Sequence, residues 1–376
     1  MKKLNKSALI ALQALNDKGY QAFVVGGAVR DLLLNKDVYD YDITTNADPN
    51  AIKMVFEDYT KYEAGIKYGT VTVLIDRDKI DITPYRKEDK YRDHRHPELI
   101  SFSSELKEDL SRRDFTINAM CLDKDSNIID MFGGTEDLKN RLIRCIGDPD
   151  KRFDEDGLRI LRAIRFMTKL DFSIEDRTSI SIHKNRDLLN YISEERKREE
   201  LLRILSSRQA FKAIREYLDV FNTFMPFDVP KRKINNFSEP LYALAYLLKD
   251  KDTDLKKLKY SKNEIHLVNI FKEASNIDIN NDFEFIETLS SIYQKQILTY
   301  LEEYHRKDLK ERFGKLKRYM VTFRELKITG EEIVFYGYAK SEISKVKHKL
   351  LDLIHHKKIN NTSYALNKYL KENVVE

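Results

Sequence analysis

Short apolar runs alternate with short helical patterns over the first 145 residues. An apolar run at 21–25 stops at a glycine pair, and residues 39–45 alternate apolar with polar positions. Two β-branched runs, 71–75 and 79–85, are separated by three charged residues. Alternation with a period of two favours strands, and two such runs around a short polar linker favour a hairpin. The pattern predicts an α/β domain.

The pattern changes after Cys145. Apolar residues between 148 and 170 recur with helical spacing, which predicts one helix over that stretch. Most of the remaining chain has the spacing of amphipathic helices. We therefore predict an α/β head at 1–145, followed by an all-α neck at 146–206 and an all-α body and tail at 207–376.

Composition narrows the class of protein. The 376 residues include 12 Gly and 7 Pro and are 41% hydrophobic, which excludes collagen-like and disordered chains. Two cysteines, Cys121 and Cys145, are too few for a disulfide framework and favour a cytoplasmic protein. No window approaches the ~18 apolar residues of a membrane span. We expect no association with a membrane, and no motif implies a protein partner.

Charge is distributed unevenly along the chain. The net charge is +5, but residues 1–150 carry four more acidic than basic residues, and residues 151–376 carry nine more basic than acidic ones. An acidic head is compatible with metal chemistry, and a basic remainder is compatible with a polyanionic partner such as RNA. Solvated lysine-rich helices would produce the same balance, so charge alone does not decide between these interpretations.

Three carboxylates are the first candidates for catalysis. Asp40 and Asp42 stand at positions i and i+2 of a predicted strand, so their side chains are expected on one face. Asp81 lies on the second strand of the predicted hairpin. Neighbouring like charges repel unless a cation holds them, and carboxylate oxygens are ligands that Mg²⁺ prefers. The three residues predict two-metal phosphoryl transfer.

A glycine pair and an arginine predict a phosphate site. Gly26 and Gly27 follow the first predicted strand and precede a helical pattern. Backbone N–H groups at such a turn can approach a phosphate, and Arg30 adds a positive charge nearby. A glycine pair alone is usually an ordinary turn. Its position ahead of the two aspartates makes the phosphate site the stronger interpretation.

Four motifs together resemble those of one family. They are Gly26-Gly27-Ala28-Val29-Arg30-Asp31 with Asp40-Tyr41-Asp42-Ile43-Thr44-Thr45, then Arg112-Arg113-Asp114-Phe115-Thr116-Ile117-Asn118-Ala119, then Arg152-Phe153-Asp154-Glu155-Asp156-Gly157-Leu158-Arg159 with Arg162-Ala163-Ile164-Arg165-Phe166, and Glu194-Glu195-Arg196 with Glu199-Glu200-Leu201. Their order resembles the class II tRNA nucleotidyltransferases, the CCA-adding enzymes. The resemblance implies a polymerase-β-like nucleotidyltransferase head, Mg²⁺ as cofactor, CTP and ATP as substrates, and a tRNA 3′ end as partner.

The resemblance also implies roles for the site residues. Asp40 and Asp42 would bind the metal ions, whereas metal contact by Asp81 stays open because relatives often carry Glu there. Arg113 and Asp114 would hold the ribose of the incoming nucleotide, and the last motif would brace the preceding one. The residues implied to bind the nucleotide are Gly26, Gly27, Arg30, Arg113, Asp114, Asp156, Arg159, Arg162 and Arg165.

Asp156 and Arg159 suggest how a protein could select two bases. The two residues are three positions apart, so on one helix they would share a face. Cytosine and adenine each present an amino donor beside a ring-nitrogen acceptor, whereas guanine and uracil present a carbonyl beside a ring N–H. A carboxylate only accepts hydrogen bonds and a guanidinium only donates them, so this pair would select C and A. A plain ion pair is the simpler alternative. Gly157, where relatives often have Ala, is expected to weaken the helix by about 1 kcal/mol.

The charged stretch 86–98 is the last candidate. The resemblance implies a flexible loop here that is needed to add the terminal A, and its charged residues include Arg86, Arg92, Asp93 and Arg95. The sequence therefore favours template-independent CCA addition with release of pyrophosphate. Three alternatives stay open, namely an enzyme that adds only A, a bacterial poly(A) polymerase and an inactive tRNA-binding protein.

Overall fold

A computed structural model of the protein describes residues 2–62, 69–88, 100–227, 237–289, 292–317 and 320–373. The chain forms two compact units. The first comprises Met1–Asn236 and Thr253–Lys259, and the second comprises Phe237–Asp252 and Tyr260–Glu376. The first unit contains all four sequence motifs.

The first unit begins with an α/β part. Its helices and strands are, in chain order, α1 (Lys6–Asp17), β1 (Ala22–Val25), α2 (Gly27–Leu33), β2 (Tyr41–Thr45), α3 (Pro49–Val55), β3 (Thr60–Tyr62), β4 (Val71–Ile75), β5 (Asp78–Pro84), β6 (Arg86–Glu88), β7 (Ile100–Phe102), α4 (Leu106–Ser111), β8 (Met120–Leu122), β9 (Ile128–Asp130), α5 (Gly134–Lys139) and β10 (Leu142–Ile143). Seven strands form one sheet in the order β3-β4-β5-β2-β1-β8-β9. Strand β2 is parallel to β5 and antiparallel to β1. The predicted α/β head is confirmed.

The hairpin of β4 and β5 turns over two residues rather than the three that the sequence suggested. Asp76 and Arg77 both have positive φ, at 47° and 76°. Two such residues form the tight turn whose twist matches that of the flanking strands. Asp78 therefore belongs to β5 and pairs with Ile75. Its carboxylate accepts a hydrogen bond from the Ser7 hydroxyl at 2.8 Å, which ties the hairpin to α1.

Helix α1 packs its apolar stripe into the core of this part. Ala8, Ala11, Leu12 and Leu15 are buried, and they recur at the spacing of one helix face. The helix contacts β1 and β5 of the sheet. Burial of each leucine side chain contributes about 1.5–3 kcal/mol, so this face holds the helix against the strands that carry the site.

The rest of the first unit is mostly helical. It contains α6 (Pro149–Glu155), α7 (Leu158–Leu170), β11 (Ser173–Ile174), α8 (Asp176–Lys184), α9 (Glu194–Leu205), α10 (Ala210–Glu216) and α11 (Leu218–Phe221). The prediction of one helix over 148–170 is wrong, because the chain breaks between α6 and α7. Asp156 is extended there, with φ −146° and ψ 101°, and its side chain accepts a hydrogen bond from the backbone N–H of Leu158 at 3.1 Å. Asp commonly caps the start of a helix in this way, which makes the break a local property of the sequence.

The second unit is helical throughout the residues that the structure describes. Its helices are α12 (Pro240–Leu247), α13 (Lys262–Ser275), α14 (Asp282–Thr288), α15 (Gln294–His305), α16 (Lys310–Leu316), α17 (Gly330–Phe335), α18 (Ile343–His355) and α19 (Ser363–Glu372). One of its cores is aromatic, with the ring of Tyr300 5.2 Å from that of Phe271 and 5.6 Å from that of Tyr242. In the described ranges, no helix combines the length and the apolar character needed to cross a membrane.

Candidate active site

One cleft in the first unit collects most of the predicted site residues. Its volume is about 720 Å³, and the predicted residues that line it are Gly26, Gly27, Arg30, Asp40, Asp42, Arg113, Asp114, Asp156, Arg159, Arg162 and Arg165. Asp81 and Arg86 do not line the cleft. Arg92, Asp93 and Arg95 lie outside the described residues.

The three predicted catalytic carboxylates lie on two neighbouring strands. Asp42 is in β2, but Asp40 precedes that strand, so the expectation that both belong to one strand is wrong. Both side chains nevertheless line the cleft. Asp42 is the register partner of Asp81 on the parallel strand β5, so these two side chains share one face of the sheet. Asp81 accepts a hydrogen bond from the hydroxyl of Thr72 at 2.5 Å.

The surroundings of Asp42 make its carboxyl harder to ionise than usual. Desolvation by the surrounding protein raises its pKa, the Arg113 guanidinium opposes that rise, and the charges of Asp81 and Asp40 raise the pKa further. The side chain is accessible from the cleft even so. A cation beside Asp42 would stabilise the ionised form, because an opposite charge at short range lowers the pKa of a carboxyl group.

These carboxylates fit a divalent cation, but only as part of its coordination shell. Among the residues that the structure describes, no three carboxylate, thiol or imidazole groups are gathered closely enough to enclose a metal ion. Mg²⁺ is commonly bound by one or two carboxylates together with water and substrate phosphates. Asp40 and Asp42 supply that kind of donor set at the edge of an accessible cleft.

The glycine pair forms the turn between β1 and α2. Gly26 has φ +76° and ψ −132°, a conformation that L side chains rarely adopt. A Cβ atom at Gly26 would also lie 3.4 Å from Nη1 of Arg113. Arg30 is 3% exposed, donates from Nη1 to the side-chain oxygen of Asn118 at 2.7 Å, and pairs with Asp31 at 2.9 Å. The turn and its arginine are therefore held in fixed positions beside the carboxylates.

Asp109 is a buried residue that the sequence interpretation missed. It pairs with Arg112 at 2.6 Å and with Arg113 at 3.0 Å. It also accepts hydrogen bonds from the hydroxyl of Thr44 at 3.1 Å and from the backbone N–H of Arg86 at 3.2 Å. Burial alone would raise its pKa, but the two arginines hold the pKa of Asp109 at about 2. One carboxylate thus links α4, β2 and the start of β6.

Asp114 is buried and hydrogen-bonded on several sides. It accepts from the side-chain amide of Asn118 at 3.0 Å and from Nε of Arg162 at 2.8 Å. Burial would raise its pKa, but Arg162 and Asn118 lower the pKa of Asp114 to about 2. Asp114 is therefore ionised at neutral pH and acts as a hydrogen-bond acceptor in the cleft.

The two residues expected to read the base are supported separately. Asp156 pairs with Arg196 of α9 at 2.9 Å. Arg159 donates to the carboxylate of Glu155 at 2.6 Å and to the backbone carbonyl of Arg112 at 2.8 Å. Because Asp156 lies in the break before α7, the expectation that it shares a helix face with Arg159 is wrong. Both side chains nevertheless line the cleft, each held there by its own partners.

Phe166 stands among three arginines of the cleft. The guanidinium carbons of Arg165, Arg30 and Arg162 lie 4.2, 5.2 and 5.4 Å from the centre of its ring. The ring is 5% exposed and meets Phe115 edge-on at 5.8 Å. An aromatic face attracts cations within about 6 Å, so Phe166 offsets part of the repulsion among these arginines.

The predicted loop can be followed only at its start. Arg86 lies in β6, and its Nη2 donates to the hydroxyl of Thr70 at 3.0 Å. Strand β6 pairs with β7, with Arg86 opposite Phe102. The structure thus ties the first residue of the loop to the sheet and to Asp109.

Comparison with known proteins identifies the family. The Poly A polymerase head domain matches residues 22–144, and the domain described as a probable RNA and SrmB-binding site of polymerase A matches residues 171–220. The CCA-adding enzyme of Lactobacillus helveticus is 35% identical over 97% of this chain and 96% of its own length. That of Pediococcus pentosaceus is 33% identical over 96% of each chain. The protein belongs to the CCA-adding enzyme family.

Solved structures of CCA-adding enzymes have the same fold. The Bacillus stearothermophilus enzyme in complex with CTP matches with a TM-score of 0.76 and 26% identity over 99% of this chain and 98% of the other. The Thermotoga maritima enzyme complexed with tRNA matches with a TM-score of 0.68 and 22% identity over 99% of this chain and 97% of the other. The resemblance to CCA-adding enzymes is confirmed, and as a member of that family the protein is a nucleotidyltransferase.

Several cleft residues of this family member were not predicted. They are Arg112, Asn118, Leu158, Phe166, Lys169, Arg196 and Arg203. Most of them lie inside the quoted motifs, so their place in a motif could have indicated them. Asp109 precedes Arg112 and Arg113 by three and four residues, a spacing that indicates ion pairs on a helix. Lys169 and Arg203 lie outside the motifs, and only the folded structure brings them to the cleft.

Proposed function

We propose that the protein adds C, C and A to the 3′ end of tRNA from CTP and ATP, and that it releases pyrophosphate at each step. The supporting observation is the cleft, in which an aspartate pair and a glycine turn share one cavity with Asp156 and Arg159. The aspartate pair and the glycine turn suit transfer of a nucleotidyl group, and Asp156 with Arg159 suits a choice between bases. The proposed parts are a catalytic head at 1–145, a base-selecting neck at 146–206 and a tRNA-binding body and tail at 207–376.

We further propose that Asp40 and Asp42 hold Mg²⁺. A bound ion supplies Lewis acidity that favours an ionised 3′-hydroxyl and neutralises charge on the departing phosphates. The protein's own part is to hold both carboxylates in the lining of the cleft, where an ion can reach them. Asp81 contributes negative charge from the neighbouring strand, since it faces Asp42 in register. A chelator should abolish incorporation, and excess Mg²⁺ should restore it.

The remaining residues position the nucleotide in this proposal. Asp114, held by Arg162, would accept a hydrogen bond from a ribose hydroxyl, which favours ribonucleotides over deoxyribonucleotides. The turn at Gly26 and Gly27 would face the phosphates, together with Arg30. Asp156 would accept from the amino group of C or A while Arg159 donates to the ring nitrogen, since a carboxylate accepts and a guanidinium donates.

One set of incubations separates this function from its alternatives. The protein is given tRNA lacking CCA, tRNA ending in CC, or an unrelated RNA, with each labelled nucleotide in turn. Incorporation of C into the first substrate that stops after A supports the proposal. Incorporation of A alone would indicate an A-adding enzyme, long A tails on any RNA would indicate a poly(A) polymerase, and no incorporation would indicate an inactive RNA-binding protein.

A pair of variants links the activity to the cleft. Asp42→Asn should abolish incorporation, since it removes a proposed metal ligand with little change in size. Asp58→Asn, at an exposed position outside the cleft, should leave incorporation unchanged. Equal activity of the two variants would contradict the assignment of the cleft as the active site.

We also propose that the protein is cytoplasmic. Cys121 and Cys145 are both buried and neither forms a disulfide. Free thiols are typical of a reducing compartment.

A further inference from the structure

A second cavity shares two residues with the catalytic cleft. It has a volume of about 580 Å³ and is lined by the C-terminal end of α7, the C-terminal end of α9 and the turn after α9. Lys169 and Arg203 line both cavities. Arg208 adds a third cation to this second cavity, which we name the distal groove. The distal groove lies entirely within the first unit.

Asp171, the acidic residue in the lining of the distal groove, already has partners. Asp171 accepts from Arg141 at 2.8 Å and from the side-chain amide of Gln209 at 2.9 Å. Arg203 faces Glu200 at 3.4 Å. Arg141 and Gln209 thus already bind Asp171. Lys169 and Arg208 are exposed. Three cations around one cavity favour an anionic ligand.

The surroundings of Lys169 add a second observation. Partial desolvation by the surrounding protein lowers the pKa of Lys169. The positive charges of Arg30, Arg165 and Lys36 lower it further, whereas Asp31 raises it. A lysine in such a positive environment is stabilised by an anion. Lys169 and Arg30 both line the catalytic cleft.

The helices α7 and α9 fix the direction in which the distal groove leaves the cleft. Three contacts follow one another along the two helices. Asp156, just before α7, pairs with Arg196, and Arg165 pairs with Glu200. Further on, the Thr168 carbonyl accepts a hydrogen bond from the hydroxyl of Ser207, just after α9. The proposed base-reading residue thus lies at one end of α7 and the distal groove at the other.

The charged face of α7 follows the order of the parts of a nucleotide. Arg162, Arg165 and Lys169 recur at the spacing of one helix face. Arg162 holds Asp114, the proposed ribose residue, and Lys169 is close enough to Arg30, the proposed phosphate residue, for their charges to interact. Base, ribose and phosphates would therefore succeed one another along the helix, and the distal groove continues past the phosphate end.

We propose that the distal groove is an anion subsite that takes the pyrophosphate product as it leaves the catalytic cleft, an inference that rests on the proposed function. Nucleotidyl transfer forms the bond from the 3′-oxygen to the α-phosphorus and breaks the bond from the α-phosphorus to the bridging oxygen. The pyrophosphate keeps the electron pair of the broken bond, and the hydroxyl proton passes to solvent. The compact ammonium of Lys169 and the planar guanidinium of Arg208 then bind the pyrophosphate.

The test compares groove variants with matched variants elsewhere in the same unit. Lys169→Met and Arg208→Gln remove groove cations, while Lys212→Met and Arg215→Gln remove exposed cations of α10. Each variant is assayed for CTP incorporation into tRNA with added pyrophosphate, at constant free divalent cation. We expect the inhibition constant of pyrophosphate to rise about fivefold in each groove variant, equivalent to about 1 kcal/mol. In Arg208→Gln, which removes a cation that lines the distal groove but not the catalytic cleft, the KM for CTP should change less than about twofold. Lys169→Arg keeps the positive charge and should retain wild-type inhibition by pyrophosphate.

The outcomes separate the two levels of the proposal. Unchanged pyrophosphate inhibition in active groove variants would overturn the subsite and leave the proposed function intact. A rise in the KM for tRNA with unchanged pyrophosphate inhibition would also overturn it, since the distal groove would then bind RNA phosphates. A wild-type protein that incorporates no nucleotide into any RNA would instead contradict the proposed function. Retained unfolding temperature in the variants shows that they are folded.

Discussion

Nη2 of Arg196 lies 2.9 Å from Oδ2 of Asp156, which joins the start of α7 to α9 across the neck. Asp156 is 18% exposed and Arg196 27% exposed at their side chains, so the pair is largely shielded from solvent. Arg159 has different partners in Glu155 and the backbone of Arg112. The two residues proposed to read the base are therefore positioned by separate sets of partners, and not by a shared helix.

Loss of the Arg196 support should reduce base selection. In Arg196→Met we expect Asp156 to lose its fixed position and the preference for CTP over UTP to fall about tenfold or more, because small displacements of a positioning group have effects of that size. The measurement is the ratio of kcat/KM for the two nucleotides. Arg177→Met is the matched control, since Arg177 pairs with Asp148 at 3.3 Å on an exposed surface. Unchanged selectivity in Arg196→Met would show that Asp156 needs no such support.

Asp109 should contribute to stability with a specific pH dependence. Its pKa of about 2 lies below the ordinary 3.8, so its contribution is complete above about pH 4 and is lost as the pH falls towards 2. Asp109→Asn leaves Arg112 and Arg113 without their buried carboxylate, which should lower the free energy of unfolding by about 3–5 kcal/mol at neutral pH. Urea unfolding at a series of pH values measures both effects. Asp125→Asn, at an exposed position, should change neither.

An equal loss of stability at every pH in Asp109→Asn would contradict the assigned pKa. The difference between wild type and variant must shrink in acid, since protonated Asp109 also loses its ion pairs.

The sequence predicted the head and the main site residues because their signals are local. Strand alternation over 39–45 and the glycine pair both describe features within a few residues. The break at Asp156 was missed because apolar spacing over 148–170 continues through it, while the capping hydrogen bond to Leu158 depends on one side chain. Lys169 was missed because its role depends on Arg30, which is distant in the sequence and near only in the folded chain.

Phe166 should affect nucleotide binding through the arginines around it. In Phe166→Leu the apolar contact remains but the attraction to three guanidinium groups is lost, an effect on the order of 1–2 kcal/mol. We expect the KM for CTP to rise about five- to thirtyfold with a smaller change in kcat. Phe172→Leu is the matched control, because that ring is similarly buried, lies outside the lining of the cleft and faces the exposed Arg141 at 5.7 Å. A fall in kcat with unchanged KM would point away from nucleotide positioning.

Gly157→Ala should change stability in opposite directions for a continuous helix and for the structure described above. Within a continuous helix the change would stabilise the protein by about 1 kcal/mol. In the structure, a Cβ atom at Gly157 would lie 3.0 Å from the backbone oxygen of Leu188 and 3.1 Å from its Cβ. Crowding of this kind costs about 1–3 kcal/mol, so we expect a lower unfolding temperature. Gly314→Ala is the control, because a Cβ atom there meets nothing within 4 Å and the helix should gain stability. Stabilisation by both substitutions would mean that Leu188 moves aside and that Gly157 is not required at the break before α7.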